Sequence, residues 1–429
     1  MTALKPLVLA SASPRRRALL AGAGVRFTVA PVDLDETPLA AEDPLAFVRR
    51  MAGLKAVTAA HRAASDAVVL GTDTVVTLDG RILGKPRDEA EAAEMLRTLS
   101  GRRHAVITAW ALATGTQVVA ADHRAAEVTF RDLDERDVTH YVATGEPMDK
   151  AGAYGIQGHG GALVEAFRGD FSTVVGLPIG PVMAHLVNAD AHPRPTSEVA
   201  RRAAIIRGRI AAACDGVERD PGEVVLVGAS KAQSVQSVHD ALAAGVVDLG
   251  ESYVQEWQRK RDAITVGPRW HFIGRLQRNK AKHLVGQTVL IHGVDAPRTV
   301  ETIGRLARDR GTSASILIQV NLSAEETKGG VSPEALGAVI EVARGTQGVD
   351  LQGLMALPRP GGLAETRRAF RRLRRLRDAH ETLDWPLPHL SMGMSGDYDA
   401  AVVEGATHVR VGAALFGPRP AVAAPQDVC

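Results

Sequence analysis

In the first half of the chain, several charged residues stand where phosphate chemistry could use them. Asp73, in Gly71-Thr72-Asp73-Thr74, directly follows the apolar run 67–70. A carboxylate ending a buried strand can bind a metal or orient an attacking water; a turn residue satisfied by nearby N–H groups is the plainer alternative. Asp33, Asp35 and Glu36 lie just past another strand-like stretch, 27–32. Lys55 and Lys85 add point charges suited to a polyphosphate, although a lone lysine ordinarily belongs to solvated surface. Ahead of these, Leu9-Ala10-Ser11-Ala12-Ser13-Pro14-Arg15-Arg16 reads as a strand, a tight turn and a helix start. Ser13 is the expected cap, and Pro14 suits the first helical position, where no N–H is needed. Free N–H groups at the positive helix end, beside two guanidiniums, favour a phosphate group. A capped surface helix with solvated arginines is the competing reading.

In the second half the singular residue is Lys231, which follows the apolar stretch 224–227 and the small residues Gly228-Ala229-Ser230. Placed at the C-terminal end of a barrel strand, a desolvated lysine has a lowered pKa and can form a Schiff base with an aldehyde. Taken alone, it reads better as an exposed structural lysine. Near the far end, Ser391-Met392-Gly393-Met394-Ser395 and Arg410-Val411-Gly412 combine glycine N–H groups, hydroxyls and an arginine, which suit a phosphate dianion. A lysine opposite a phosphate cradle is what pyridoxal 5′-phosphate (PLP) needs.

Elements must position these groups. Strand-like stretches fall at 224–228, 246–250, 270–274, Leu290–Val294, 316–321, 351–355, His389–Ser391 and His408–Val411. Helical patterns lie between them, for example at 235–244, 298–309, 333–344 and 364–382. Short apolar strands alternating with amphipathic helices imply parallel pairing, and eight such units close a (β/α)₈ barrel. An open doubly wound sheet is the alternative. The first half is less regular: strands at 6–10, 68–77, 105–113 and Gln117–Phe130, helices at 14–21 and Glu89–Leu99, and an Asp79-Gly80 hairpin turn before Arg81-Ile82-Leu83. These elements predict a mixed sheet flanked by helices, so the fold class is α/β with a C-terminal (β/α)₈ (TIM) barrel.

The chain has 429 residues, with 51 Lys+Arg against 49 Asp+Glu and a net charge of +2. That length favours two or three domains, and 45% hydrophobic content is globular. Near-neutral charge gives no footing for nucleic-acid binding. Two distant cysteines, Cys214 and Cys429, exclude a disulfide scaffold and a Cys-rich zinc site. No apolar run is long enough to span a membrane, and Leu7-Val8-Leu9-Ala10 is too short for a signal peptide; a cytoplasmic protein is expected. The segment NADAHPRPT, 188–196, breaks the pattern with Pro193 and Pro195 and precedes a helix capped by Thr196 or Ser197. Domains at 1–191 and 196–420 follow, with 421–429 a tail that has little to bury. There is no P-loop, no complete dinucleotide fingerprint, no H-E-x-x-H and no G-x-S-x-G. A run of seven arginines, 367–377, shares its helix with Phe370, Leu373 and Leu376 and reads as a solvated barrel helix. His271 and His389 sit in strands, as core or pocket residues rather than metal ligands.

Residues 4–187 resemble the Maf family of nucleoside triphosphate pyrophosphatases, through ASASPRRRALL (10–20), VLGTDTVV (69–76), GKPRDEAEAAEMLRTLSGRRHAVIT (84–108) and DKAGAYGIQGHGGALV (149–164). The resemblance implies hydrolysis to the nucleoside monophosphate and pyrophosphate with a divalent cation, Mg²⁺ or Mn²⁺. It makes Asp73 the proton acceptor for water and, with Glu36, the metal-binding pair. Glu36, Lys55 and Lys85 match the family's other charged active-site positions. Arg15, Thr74 and Gln157 match those separating its specificity classes, here in the dTTP/UTP-preferring combination. Maf relatives also suggest a homodimer.

Residues 223–418 are similar to the PLP homeostasis proteins, single-domain relatives of the alanine racemase barrel. The motifs are ASK (229–231), LGESYVQE (249–256), WHFIGRLQRNK (270–280), VNLSAEETKGGV (320–331), LMALP (354–358) and LSMGMSGDYDAAVVEGATHVRVGAALFG (390–417). Lys231 matches the PLP lysine, and Ser395, Arg410 and Gly412 lie where that family holds the phosphate. Ser252 departs from the usual Asn. PLP binding and buffering without turnover is implied. The alternative is a regulatory Maf domain without turnover joined to a racemase-like enzyme, although racemases of this type draw a second base from a further β-domain.

Overall fold

The computed structural model describes residues 3–264, 267–323, 329–359 and 361–418. It divides into two compact units. One comprises Met1–Pro195, Arg207–Pro221 and Gly361–Glu365; the other comprises Thr196–Ile206, Gly222–Pro360 and Thr366–Cys429. Residues 324–328 of the 320–331 motif, the last two residues of the expected second domain and the tail 421–429 lie outside the described residues.

The first unit is built on one mixed sheet of β1 (Leu7–Leu9), β2 (Thr28–Val29), β3 (Val68–Leu78), β4 (Arg81–Leu83), β5 (Arg103–Thr114), β6 (Gln117–Phe130) and β7 (Val164–Arg168). Its order is β2-β1-β3-β5-β6-β7, with β4 paired to β3. β1 runs parallel to β2 and β3, while the long β3, β5 and β6 are antiparallel. Asp79 and Gly80 join β3 to β4 with φ of 51° and 77°, the double left-handed geometry a two-residue hairpin demands.

Helix α1 (Pro14–Gly22) starts with Pro14 at its first turn, as the sequence predicts, but Ser13 makes no side-chain cap. The hydroxyl that serves this turn is that of Ser11, which accepts from Ser13 N at 3.3 Å and from Arg16 Nη1 at 2.9 Å. Helix α2 (Pro44–Ala60) was not among the elements read from sequence. Asp43 caps it by accepting from Leu45 N and Ala46 N, and Pro44 supplies the fixed first-turn φ. Phe47, Val48, Met51, Ala52, Ala56, Ala59 and Ala60 recur at helical spacing and are buried. They pack on Val69 and Val75 of β3 and on Ala109, Ala111 and Ala113 of β5. The approach is close enough that a Cβ on Gly71 would collide with Ala52 O and Ala56 N, so glycine there is a packing requirement.

The second unit is a closed barrel of eight parallel strands: β8 (Val225–Ala229), β9 (Asp248–Glu251), β10 (Arg269–Arg275), β11 (Leu290–Val294), β12 (Ala314–Val320), β13 (Val349–Ala356), β14 (His389–Ser391) and β15 (His408–Val411). β15 pairs with β8 to complete the ring. All eight strands correspond to the stretches read from sequence, which excludes the open sheet. The helix Glu198–Asp215 starts with Ser197 Oγ accepting from Ala200 N. The arginine run is only partly solvated: Arg367 is buried, and it and Arg371 share the carboxylate of Glu404. No helix among the described residues is long and apolar enough to cross a membrane.

Candidate functional site

Because α2 lies flat on Gly71, Lys55 on its buried face reaches Asp73, two positions further along β3. Its Nζ sits 2.6 Å from Asp73 Oδ1 and 2.6 Å from Glu36 Oε1. Lys85 stands 3.6 Å from Glu36 Oε2. The structure thus brings Asp73, Lys55, Glu36 and Lys85 into one cluster from β3, α2 and two loops. Only Lys85, 60% exposed, is the solvated lysine a lone lysine predicts; the Lys55 side chain is 10% exposed. Burial raises the Asp73 carboxyl above the ordinary Asp value, opposed by Lys55 and Arg16. Glu36 goes the other way. Burial pushes it up, but its contacts with Lys55 and Lys85 outweigh that and hold it low. A half-exposed carboxylate and a buried, more basic one therefore share an ammonium.

Thr74 projects from the opposite face of β3, as alternation requires. Its hydroxyl lies 2.9 Å from Thr108 Oγ1 and accepts from Arg16 Nη2 at 3.1 Å. Arg16 also donates to Gly176 O at 2.9 Å, Thr72 O at 3.2 Å and Ser11 Oγ. Burial lowers its pKa, countered by Asp73. These bonds belong to Arg16; Arg15, matched to a specificity position, faces elsewhere. Arg15 reaches Asp149 at 3.4 Å, and Asp149 in turn binds Lys150. Helix phase is the only local signal separating two adjacent arginines, and it needs the position of β3 to be decisive. Gln157 is 3% exposed, and neither its Nε2 nor its Oε1 has a hydrogen-bond partner among the described residues. No hydrogen bond or ion pair among the described residues joins Arg15 or Gln157 to Asp73.

At the C-terminal ends of the barrel strands, Lys231 sits half-buried in the turn after β8. The loops after β14 and β15 are tied together by Ala414 N donating to Ser395 Oγ at 3.1 Å. Gly412 opens the turn 413–416 and accepts from Leu415 N and Phe416 N. Gly393 has φ of 91°, and a Cβ there would collide with Ala401 and crowd Tyr398. Arg410 turns into the barrel, donating to Ser391 Oγ and, at 2.9 Å, to Ala356 O. Burial lowers its pKa to about 10, countered by Asp397. Below it runs a polar chain: Ser391 Oγ to His292 Nδ1 at 2.8 Å, His292 Nε2 to His271 Nδ1 at 3.0 Å, His271 Nε2 to Asp248 Oδ1 at 2.9 Å. Burial keeps His292 neutral. Arg410 can only donate into this chain and Asp248 only accept from it. The histidines are interior residues engaged with one another, and the described residues contain no group of three His, Cys, Asp or Glu that could hold a metal.

Beneath Lys231 lies a group the sequence reading did not single out. Lys260, on the helix Val254–Ala263, is fully buried and donates to Ser230 O at 2.5 Å, Glu251 Oε1 at 2.6 Å and Glu256 Oε1 at 2.8 Å. The Glu256–Lys260 spacing of four was its visible signal.

Fold and sites together define a chain in two parts, an α/β unit whose lysine-bridged carboxylates suit polyphosphate chemistry and an eight-stranded parallel barrel. Residues 6–189 match the family model of Maf-like proteins, and residues 209–420 that of the alanine racemase N-terminal domain. The dTTP/UTP pyrophosphatase of Myxococcus xanthus is 52% identical over 186 residues, covering 43% of this chain and 92% of that protein. The dTTP/UTP pyrophosphatase of Pectobacterium atrosepticum is 49% identical over 173 residues, covering 40% and 87%. The PLP-bound structure of PipY from Synechococcus elongatus is 33% identical, covers 51% of this chain and all of that one, and has a TM-score of 0.45. Through its first half the chain belongs to the Maf family.

Proposed function

We propose that residues 1–191 hydrolyse nucleoside triphosphates, dTTP and UTP foremost, to the monophosphate and pyrophosphate, and that the barrel, 196–420, binds PLP through Lys231. The observation carrying the first part is the Lys55 bridge: a buried carboxyl of raised basicity held beside an exposed one. Water attacks the α-phosphorus, the bond to the bridging oxygen breaks, and pyrophosphate leaves. Asp73 accepts the proton that water loses. Lys55 holds Asp73 in place and, with Lys85 and Arg15, neutralises phosphate charge.

Two carboxylates suit Mg²⁺ or Mn²⁺, oxygen-seeking ions that complete their shells from substrate phosphates and water. Asp73 and Glu36 would hold it, and it would supply further charge neutralisation. Thr74 acts through Arg16, to which it is bonded. Gln157 offers the base an unused amide, a donor and an acceptor that complement the imide edge of uracil or thymine.

Pyrophosphate release from dTTP, UTP, CTP and 7-methyl-GTP with Mg²⁺ or Mn²⁺ tests this. Turnover of dTTP and UTP is expected, falling about 10²–10⁴-fold in Asp73→Asn. Turnover of other bases would retain the hydrolase and discard the preference; none at all in a folded protein would discard both.

In the barrel, the positive-φ turn at Gly393 and the tied loops at Ser395 and Gly412 form a backbone-lined cradle that fits a phosphate. Ser395 and Gly412 would hold it, and Arg410 contributes charge from the barrel interior. When bound, PLP would supply an aldehyde reactive toward a lysine amine. Lys231 provides that amine, and the interior chain from Ser391 to Asp248 fixes Arg410. The expected result is a yellow protein whose visible absorbance is lost in Lys231→Ala.

A further inference from the structure

Lys231 is carried by a three-residue turn, and the turn is held from both sides by one network, buried on the Ser230 side and exposed at Ala232. On its near side, Ser230 donates its N–H to Gly250 O at 3.0 Å and its hydroxyl to Glu251 Oε1 at 2.7 Å, while its carbonyl accepts from Lys260 Nζ. On its far side, Ala232 donates its N–H to Glu256 Oε1 at 2.6 Å, the oxygen that also takes Lys260. Ala232 needs this support, because its φ of 60° is in the left-handed region that side-chain-bearing residues rarely adopt. The network therefore ends on the two residues that bracket Lys231 and on the backbone reversal that turns the chain after it.

We infer that Lys260, with Glu251 and Glu256, is the positioning group for Lys231: it fixes the Ser230–Lys231–Ala232 turn and so sets where the Lys231 amine stands at the barrel mouth. The inference rests on Lys231 being the PLP lysine. A purely structural role would leave the network's cost unexplained. Lys260 and Glu251 are fully buried, and Glu251 Oε2 has no partner among the described residues. A buried ion pair is weak evidence for stability, since apolar residues of similar volume serve as well or better. What apolar residues cannot do is hold a carbonyl and an N–H on either side of one side chain.

Two variants of the full chain test this without depending on a single buried-charge deletion. Glu256→Ala removes the bond to Ala232 and leaves the Lys260–Glu251 pair intact. Glu251→Gln with Lys260→Met removes both buried charges together, which keeps the packing and leaves Ser230 O only its bond from Gln233 N at 3.0 Å. Each is titrated with PLP, the visible absorbance giving the dissociation constant, and the lysine-bound product is trapped with borohydride and located by peptide mass. Thermal midpoints are recorded beside them. PLP affinity and trapping rate are expected to fall by roughly 10–100-fold in the double variant, as misplacement of a reacting group does. A smaller fall is expected in Glu256→Ala, with midpoints near that of wild type. Wild-type affinity and trapping in the double variant would overturn the inference. Lys231→Ala runs as the control: if it still traps PLP at another lysine, the reading of Lys231 fails first, and that outcome is distinguishable by the labelled peptide.

Discussion

Lys55 and Lys260 each place one ammonium between two carboxylates at closely similar distances, 2.6 and 2.6 Å in the first unit and 2.6 and 2.8 Å in the barrel. What separates them is access. In the first cluster Glu36 is 42% exposed, and the lysine spends its hydrogen bonds on the carboxylates. In the second, Glu251 is fully buried, Glu256 is 16% exposed, and the lysine also grips a backbone carbonyl. The same charges make a cluster with one carboxylate well open to solvent, the one proposed to meet substrate, and a cluster with none, the one proposed to hold chain. Charge arithmetic alone does not tell the two clusters apart; the exposure of Glu36 does.

The sharpest way to break the comparison is to remove each ammonium. In the barrel, Lys260→Met leaves Glu251 buried without its counter-charge, and a loss of about 3–5 kcal/mol of stability at neutral pH is expected by denaturant titration. Glu251 already lies above the ordinary Glu value, through burial opposed by Lys260. Without the lysine it rises further. A carboxyl whose folded pKa exceeds its unfolded one is relieved by protonation, so the deficit must shrink as pH falls through that raised value. A deficit independent of pH would mean that Glu251 is not the group left stranded.

In the first unit the same substitution acts on chemistry. Lys55→Met removes a charge that pulls Asp73 down while the burial that pushes it up remains. Pyrophosphate release is expected to fall about 10²-fold at neutral pH, and the acid limb of kcat/KM to move to higher pH, since Asp73 must be ionised to accept a proton. A lowered rate with an unmoved limb would separate Lys55 from the titration of Asp73 and leave it only a phosphate contact.

The barrel was legible because its elements are short and locally encoded. Leu290–Val294, His389–Ser391 and His408–Val411 fall where apolar runs meet turn residues, and parallel strands buried on both faces read as continuous apolar stretches. Helix α2 was missed although Asp43-Pro44 and the spacing of Phe47, Met51 and Ala52 announce it, because its alanines blur the polar face. The pairing of Lys55 with Asp73 was not legible for another reason. It depends on how closely α2 lies on Gly71, a tertiary distance no spacing rule supplies. Arg15 and Arg16 differ only in which one faces β3, and that too is settled by packing.

The smallest effect expected concerns the choice of base, and it bears on the open cluster from outside it. Gln157 is buried with neither amide atom partnered among the described residues, which costs free energy unless a ligand supplies the partners. Gln157→Leu keeps the approximate volume and removes both polar atoms. If the amide reads the base, the variant loses preference for dTTP and UTP over CTP by about tenfold, mostly as a higher KM for the preferred substrates, because base contacts are made in ground and transition states alike. Its thermal midpoint should not fall, since no protein hydrogen bond is lost among the described residues. If the amide is instead a strained structural residue, the variant gains stability with selectivity unchanged. Measuring kcat and KM for UTP and CTP beside the thermal midpoint separates the two. Either result leaves the Lys55 bridge untouched, so the open cluster can be tested for catalysis independently of what chooses the base.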